Sequence, residues 1–205
     1  QRQMCIRDSI GTCHLENLGD RDGVLKAKTE IFQYVKRNIV LNGDDDKLST
    51  VKEYNGMQPV FFGNGENASV TCENVESRGL KGMSCDICLK GKMAENGEFQ
   101  IFHVDIPMPG RHMVSNALAA AAVGRLYGLN AEQIKNGIES LEPVSGRFNM
   151  IETDKFMIVD DCYNANPMSM KASLDVLQDG LGRKVAILGD MGELGTCLLY
   201  TSPSP

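Results

Sequence analysis

The sequence predicts an α/β fold: a mixed or parallel sheet with helices and added antiparallel strands, followed by the start of a Rossmann-like domain. Three observations carry this prediction, namely apolar stripes at helical spacing, short apolar runs that end in polar residues, and a central run of alternating residues. Of the 205 residues, 42% are hydrophobic and 23% are charged, which is ordinary for globular proteins. The length corresponds to one large domain or one and a half ordinary ones.

The first half of the chain predicts a helix, a buried strand and then antiparallel strands. Over residues 23–37, apolar side chains fall on one helical stripe. Residues 39–41 form a short apolar run typical of a buried strand, and a polar loop follows at 42–46. Residues 59–106 alternate and carry Gly and Asn turns, which predicts antiparallel strands, most clearly over 99–106.

Helices are predicted again in the second half. Residues 114–127 are rich in alanine, whose small side chain permits close packing against a sheet. Asn130 and Gln133 form a capping box at the start of the next helix. Asn166 and Pro167 form a good N-cap and first-turn pair for a further one.

Two apolar runs predict buried parallel strands beyond a linker at residues 142–147. These runs are residues 156–159 and 184–188, and a carboxylate follows each within two residues. A strand-helix-strand unit of this kind places ligands at the carboxyl ends of its strands. Because it has room for only two strands and one helix, the unit is expected to be truncated.

Composition argues against several classes of protein. The net charge of −6 argues against a broad nucleic-acid surface, although a few cations and backbone amides suffice for a phosphate ligand. No apolar run is long enough to cross a bilayer and no signal peptide is evident, so we expect a cytoplasmic protein without membrane insertion. Cys85 and Cys88 form a lone CxxC in an alternating stretch, which favours buried thiols over a zinc or redox centre.

Both ends differ from the middle of the chain. Residues 1–9 have no clear period, and residues 196–205 close on Thr-Ser-Pro-Ser-Pro, a composition that resists packing. Both ends resemble translated sequencing-adapter read-through. We therefore expect them to be non-native and leave them out of the fold prediction.

A few polar residues suit a ligand site. Lys28 lies in the centre of the apolar stripe of the first predicted helix, whereas Lys26 points to the opposite side. Residue type alone favours a lysine whose stem packs along the core edge while its ammonium reaches water. The amide of Asn116 can pair with adenine, the planar fork of Arg147 fits phosphate, and Asp161 ends a predicted strand where ribose hydroxyls could donate to it. For Asn116, a structural role early in its helix is the favoured alternative.

Several separated segments resemble the Mur ligase family, most closely its D-alanyl-D-alanine-adding branch. The segments are residues 10–19, 25–32, 109–120, 160–167 and 188–195. The last two are the most specific to that branch, and the resemblance as a whole covers residues 10–195. It implies that residues 10–146 are the C-terminal part of a central ATP-binding domain and that residues 147–195 begin the C-terminal ligase domain.

The resemblance implies a monomeric ATP-dependent amide ligase of peptidoglycan precursor synthesis. Such an enzyme joins D-alanyl-D-alanine to UDP-N-acetylmuramoyl-tripeptide through an acyl phosphate, with Mg²⁺ as a further cofactor. It also implies catalytic, metal-binding roles for His14 and for Lys28, the latter carbamylated by carbon dioxide. Carbamylation needs a neutral amine, which desolvation favours, and it turns a cation into an anionic oxygen ligand. The residues implied to contact the nucleotide are Asn42, Asp45, Asn116, Arg147, Asp161, Tyr163 and Asn164.

Alternatives stay open at this point. The loop at residues 42–45 could be ordinary turn chemistry. The chain could also belong to a related Mur-type or polyglutamate-type ligase, or be a catalytically inactive nucleotide-binding module. No G-x-x-x-x-G-K-[ST] phosphate loop is present, and because the family carries that loop upstream, this fragment by itself is expected to be inactive. Gly189, Gly192 and Gly195 are spaced GxxGxxG rather than GxGxxG, which argues against a dinucleotide-dependent oxidoreductase.

Overall fold

The computed structural model describes residues 4–11, 18–144 and 146–191. Within these residues it contains a six-stranded sheet and a separate two-stranded hairpin. The strands of the sheet, in spatial and chain order, are β1 (Met4–Arg7), β2 (Asn38–Asn42), β3 (Val60–Phe62), β4 (Val70–Ser77), β5 (Met83–Lys90) and β6 (Phe99–Ile106). The first four strands run parallel, and β5 and β6 continue the sheet in antiparallel fashion. The predicted mixed sheet is confirmed, except that β3 belongs to the parallel part and not to the antiparallel run.

Four helices flank these strands in the described part of the chain. They are α1 (Arg21–Thr29), α2 (Arg111–Leu126), α3 (Ala131–Glu139) and α4 (Pro167–Gln178). α1 is shorter than the predicted helix because the chain tightens into a 3₁₀ turn over Glu30–Tyr34. The predicted capping box of α3 is confirmed, with Gln133 N 2.8 Å from Asn130 Oδ1, and Asn166 caps α4 as predicted. No helix among the described residues is long and apolar enough to span a membrane.

α2 closes the main core by crossing β2 to β5. Its buried face includes Ala121 and Ala122, whose small side chains let the helix approach the sheet. α3 packs in turn against α2 and β6. At Gly124, a Cβ would lie 2.9 Å from Ile134 Cγ1, so the close approach of α2 and α3 requires glycine there.

β2 is buried on both faces. Val40 points into the main core under α2, while Ile39 and Leu41 join a second cluster with Val24 of α1 and with Phe32. Alternate residues of a strand face opposite sides, so a strand between two layers needs an unbroken apolar run. The buried strand predicted here is confirmed.

The two cysteines of the CxxC lie on opposite faces of β5. Cys85 and Cys88 are both buried and both are free thiols. Side chains three positions apart in a strand point to opposite sides, so these two sulfurs cannot share a metal ion. The prediction of buried thiols is confirmed.

The two apolar runs beyond the linker differ from the prediction. One forms β8 (Met157–Asp160), but it pairs antiparallel with β7 (Asn149–Glu152), and Ile158 is 43% exposed. The other, residues 184–188, forms no strand in the described structure, and Ile187 is 96% exposed. The prediction of two buried parallel strands is therefore wrong. An apolar run becomes a buried strand only where neighbours pair with its backbone and cover its faces, and the described residues provide no such layer here.

β1 lies within residues 1–9, which were expected to be non-native. Met4–Arg7 pairs in parallel with β2, from Met4 opposite Asn38 to Arg7 opposite Leu41. Strand pairing uses backbone groups that every residue except proline supplies in full, which is why the absence of a period did not exclude a strand. The non-native origin of residues 1–9 and 196–205 stays a prediction, as does the domain boundary after residue 146.

Candidate active site

One cleft gathers most of the residues that the sequence singled out. It has a volume of about 1000 Å³, the size of a small-molecule site, and it is bordered by α2, α3 and the segments after the linker. Its lining includes Lys28, Asn116, Arg147, Asp161, Tyr163 and Asn164. These residues come from α1, α2, the linker and the loop after β8, so folding brings them together from distant parts of the chain.

Lys28 lies at the wall of this cleft, near the end of α1. Its side chain is half-buried and its Nζ donates to Ser9 O at 2.7 Å, while Lys26 is exposed. The predicted difference between the two lysines is confirmed. The partner of Lys28 Nζ is a neutral carbonyl, and among the described residues no carboxylate forms an ion pair with Lys28.

Asn116 faces the cleft from the second turn of α2, where it is exposed. Within the described residues, its side chain has one hydrogen-bond partner, Met113 Sδ, 3.5 Å from Nδ2. A thioether is a weak acceptor, so the amide keeps both donor and acceptor capacity for a ligand.

The carboxylate of Asp161 is held from two sides. Oδ1 accepts a hydrogen bond from Phe148 N at 3.1 Å, and Oδ2 accepts one from the Ser173 hydroxyl. Phe148 follows the linker and Ser173 belongs to α4. Through these two hydrogen bonds, the carboxylate connects the loop after β8 with the residue after the linker and with α4.

Arg147 and Tyr163 form a stacked pair. The guanidinium carbon lies 4.1 Å from the ring centroid, which is a cation–π contact. Tyr163 N also donates to Gly146 O at 3.0 Å, and Gly146 has a φ of +72°, a left-handed conformation that glycine adopts readily. The pair holds a planar cation at the cleft, where its fork can bind phosphate oxygens.

His112 lines the same cleft and was not identified from the sequence. Burial lowers its pKa from the ordinary value of 6.5, and the negative charge of Asp161 opposes that shift. The shift favours the neutral form of the imidazole. A Cβ at Gly110 would lie 2.6 Å from His112 Cε1, so this ring position depends on glycine. The four-residue spacing between His112 and Asn116, which puts both on one helix face, is the signal that could have identified it.

Asn42 and Asp45 do not line the cleft, and they organise the loop after β2. Asn42 Nδ2 donates to Asp8 O at 2.9 Å. Asp45 Oδ2 accepts from Ile10 N at 2.8 Å, and its Oδ1 accepts from Leu48 N at 2.9 Å. This is the turn chemistry that the sequence left open as the alternative. The nucleotide contacts of both residues stay a prediction.

The metal prediction involves one residue that the structure does not describe, because His14 lies outside the described residues. In the described ranges, no group of three or more His, Cys, Asp or Glu side chains is arranged to hold a metal ion. Lys28 as an ammonium is a cation and does not ligate Mg²⁺. A metal at this position would require its conversion to the carbamate.

Two protein-family models match this chain. The model described as the Mur ligase middle domain matches residues 4–124. The model described as the Mur ligase, glutamate ligase domain matches residues 146–202. The first match includes Lys28 and Asn116, and the second begins at the linker and includes Arg147 and Asp161.

Curated relatives match over nearly the whole chain. The UDP-N-acetylmuramoyl-tripeptide--D-alanyl-D-alanine ligase of Escherichia coli (strain K12) is 33% identical over 94% of this chain and 42% of its own length. The protein of the same name from Bacillus subtilis (strain 168) is 35% identical over 91% of this chain and 39% of its own length. The chain thus spans about two fifths of the length of these relatives.

Solved structures share the fold. MurF from Acinetobacter baumannii superposes with a TM-score of 0.81 at 32% identity, covering 93% of this chain and 41% of that one. The MurF ligase from Thermotoga maritima in complex with ADP superposes with a TM-score of 0.76 at 28% identity, covering 94% and 43%. The predicted α/β fold class is confirmed by these superpositions.

Proposed function

This chain belongs to the Mur ligase family, and we propose that it forms part of an ATP-dependent amide ligase that adds D-alanyl-D-alanine to UDP-N-acetylmuramoyl-tripeptide. The observation that carries the proposal is the cleft, where lysine, asparagine, arginine and aspartate side chains from four segments meet. Relatives named for this reaction align with 91 to 94% of the chain.

The nucleotide in this proposal is ATP, with its adenine near Asn116, its ribose near Asp161 and its phosphates near Arg147. An amide offers adenine both a donor and an acceptor, a carboxylate accepts from ribose hydroxyls, and a guanidinium binds phosphate oxygens through two donors. Tyr163 holds the guanidinium by stacking, and Asn164 lines the cleft beside it. The ADP complex of the Thermotoga maritima relative supports this choice of nucleotide.

The proposed reaction has two steps. The carboxylate of the acceptor peptide attacks the γ-phosphorus of ATP, which forms an acyl phosphate and releases ADP. The amine of D-alanyl-D-alanine then attacks the acyl carbon, and the tetrahedral intermediate expels inorganic phosphate as the nitrogen loses a proton. Phosphoryl transfer depends mainly on positioning and charge neutralisation, and Arg147 contributes to both.

Mg²⁺ is the second cofactor in this proposal, held by His14 and by the carbamylated form of Lys28. The Lys28 amine attacks carbon dioxide and loses a proton, which gives an anionic carbamate whose oxygens suit a hard cation. The half-buried position of Lys28 at the cleft wall supports this role. A bound Mg²⁺ would shield the charge of the phosphate oxygens.

The other parts of such a ligase are expected outside this chain. The family carries the phosphate loop and the domain that grips the UDP-sugar upstream, and more of the C-terminal domain downstream. We also propose that the complete enzyme is monomeric and cytoplasmic. The chain by itself is expected to be inactive.

Lys28→Ala in the full-length enzyme tests the proposal. Activity is measured as phosphate release that requires both UDP-N-acetylmuramoyl-tripeptide and D-alanyl-D-alanine. It is expected to fall by about 100-fold or more, because the carbamate that would hold Mg²⁺ beside the phosphates is lost. Short carboxylic acids at high concentration should restore part of it by replacing the carbamate. Lys26→Ala, on the exposed side of the same helix, is the matched control and should retain activity.

Three results would contradict parts of this proposal. Undiminished activity of Lys28→Ala would remove this lysine from the mechanism. Equal turnover with a single amino acid in place of D-alanyl-D-alanine would identify a related ligase of different specificity. Nucleotide binding without any turnover would identify a non-catalytic nucleotide-binding protein.

A further inference from the structure

We propose that Ser173 is a positioning residue for the ribose of the nucleotide and that it acts through the carboxylate of Asp161. The inference rests on the ribose role proposed above for Asp161. Ser173 belongs to α4 and lies at the edge of the cleft. It lies outside the segments that resemble the Mur ligase family.

The hydroxyl of Ser173 has two possible acceptors and a single proton. Asp161 Oδ2 lies within hydrogen-bond distance, and Ser169 O lies 3.1 Å away. The proton goes to Asp161, since the carboxylate is the closer acceptor and, being charged, the stronger one. Ser173 is half-buried, so water competes only in part for this hydrogen bond.

The second anchor of Asp161 comes from the backbone. Phe148 has a φ of +52°, a left-handed conformation that bulky residues rarely adopt, and its side chain is 6% exposed within the main core. Packing of the ring keeps Phe148 N directed at Asp161 Oδ1, 3.1 Å away. Two elements far apart in sequence therefore determine the orientation of one carboxylate.

The neighbouring carboxylate lacks this arrangement. Asp160 Oδ1 accepts from Cys162 N at 3.4 Å, which is a contact within its own turn. Asp160 is also not among the residues that line the cleft. Of these two consecutive aspartates, Asp161 lines the cleft and accepts hydrogen bonds from both Phe148 N and Ser173 of α4.

The anchoring leaves the carboxylate able to bind a ligand. Each of its oxygens can accept two hydrogen bonds, so each keeps one for a ribose hydroxyl. With both oxygens anchored, these remaining positions are held in one orientation before the nucleotide arrives. Without the Ser173 hydroxyl only Phe148 N holds the carboxylate, which can then adopt more orientations, and ordering it again on binding opposes affinity.

Ser173→Thr and Ser173→Val in the full-length enzyme form the test, because threonine and valine have nearly the same shape and differ in the hydroxyl. The KM values for ATP and for 2′,3′-dideoxy-ATP are compared with those of the wild type. The wild type and Ser173→Thr should prefer ATP by about tenfold, which is the size of hydrogen bonds to a charged group. Ser173→Val should lose most of this preference, with the KM for ATP rising by about fivefold at unchanged kcat.

Ser140→Ala is the control variant. It removes a hydroxyl at the C-cap of α3, which donates to Gly137 O at 3.2 Å. Ser140 is not among the residues that line the cleft, so the substitution should change neither KM. If thermal melting shows that Ser173→Val is unfolded, Ser173→Ala replaces it with the same expectations.

The experiment distinguishes failure of the positioning role of Ser173 from failure of the ribose role of Asp161. An ATP preference in the hydroxyl-free variant equal to that of the wild type overturns the positioning role of Ser173 and leaves the proposed function standing. Equal KM values for ATP and the dideoxy analogue in the wild type overturn the ribose role of Asp161, and this inference with it.

Discussion

Two apolar runs of similar composition, one before and one after the linker, differ in burial. In β2, Ile39, Val40 and Leu41 are each 0% exposed, whereas Ile187 in the run at 184–188 is 96% exposed. The β2 run has α2 on one face and the cluster around α1 on the other. No described element covers the second run. Burial of a strand is therefore a property of the layers around it as much as of its own residues.

The region after the linker is nevertheless attached to the region before it. Among the described residues beyond 146, Phe148 and Val176 are the buried hydrophobic side chains, and both join the main core. Ser77 Oγ also donates to Asp179 Oδ2 at 3.2 Å. The cleft is lined by residues of both regions, so its chemistry depends on their staying together.

Phe62→Ala and Ile187→Ala should give the largest contrast between the regions. Phe62 is 0% exposed, so its truncation should lower the free energy of unfolding by about 3–5 kcal/mol through lost burial and a cavity. Ile187 is 96% exposed, so its truncation should change that free energy by less than about 0.5 kcal/mol. Urea denaturation of the 205-residue chain, followed by circular dichroism, measures both. Equal decreases in the free energy of unfolding for the two substitutions would contradict the difference in burial between the two regions.

Gly124→Ala and Gly137→Ala should show a smaller contrast inside the packed region. A Cβ on Gly124 would meet Ile134 Cγ1 at 2.9 Å, so overpacking should lower stability by about 1–3 kcal/mol. Gly137 in α3 has nothing within 4 Å of an added Cβ, so alanine should raise stability by about 0.5–1 kcal/mol through helix propensity. Thermal melting of the two variants tests this. A higher melting temperature in both would mean that α2 and α3 do not pack closely.

Substitution of His112 should have the smallest effect on stability. Its pH dependence depends on the contact between the two regions. Because burial lowers its pKa, the unfolded chain binds a proton more readily than the folded chain as the pH falls below 6.5. The contribution of His112 to stability is therefore present above that pH and lost below it. His112→Gln should remove this part of the acid sensitivity, and the change should be small because the ring is partly open to solvent.

An NMR titration of the His112 ring in Asp161→Asn tests whether the segment carrying Asp161 lies close to α2. Removing the carboxylate charge removes the influence that opposes burial, so the pKa of His112 should be lower than in the wild type. An unchanged pKa would mean that the segment carrying Asp161 does not approach α2.

Local patterns in the sequence predicted the elements that short-range chemistry determines. β6 spans the alternating run Phe99–Ile106, because period-two alternation is the mark of a half-buried strand. α3 begins at the capping box of Asn130 and Gln133, because those side chains satisfy the first backbone N–H groups of the helix. Patterns of this kind did not predict β1 or the path of residues 184–188, whose pairing and cover depend on distant segments.

The sequence by itself determined where most helices and strands lie and that Lys28 and Lys26 occupy different sides of α1. Caps and periodicities involve residues within one or two turns of each other, and a single sequence displays them directly. Tertiary structure alone decided that β3 joins the parallel strands, that Asp45 serves its own loop, and that His112 and Ser173 reach the cleft. Each of these outcomes depends on which distant segment packs against a given face, and no local pattern encodes that choice.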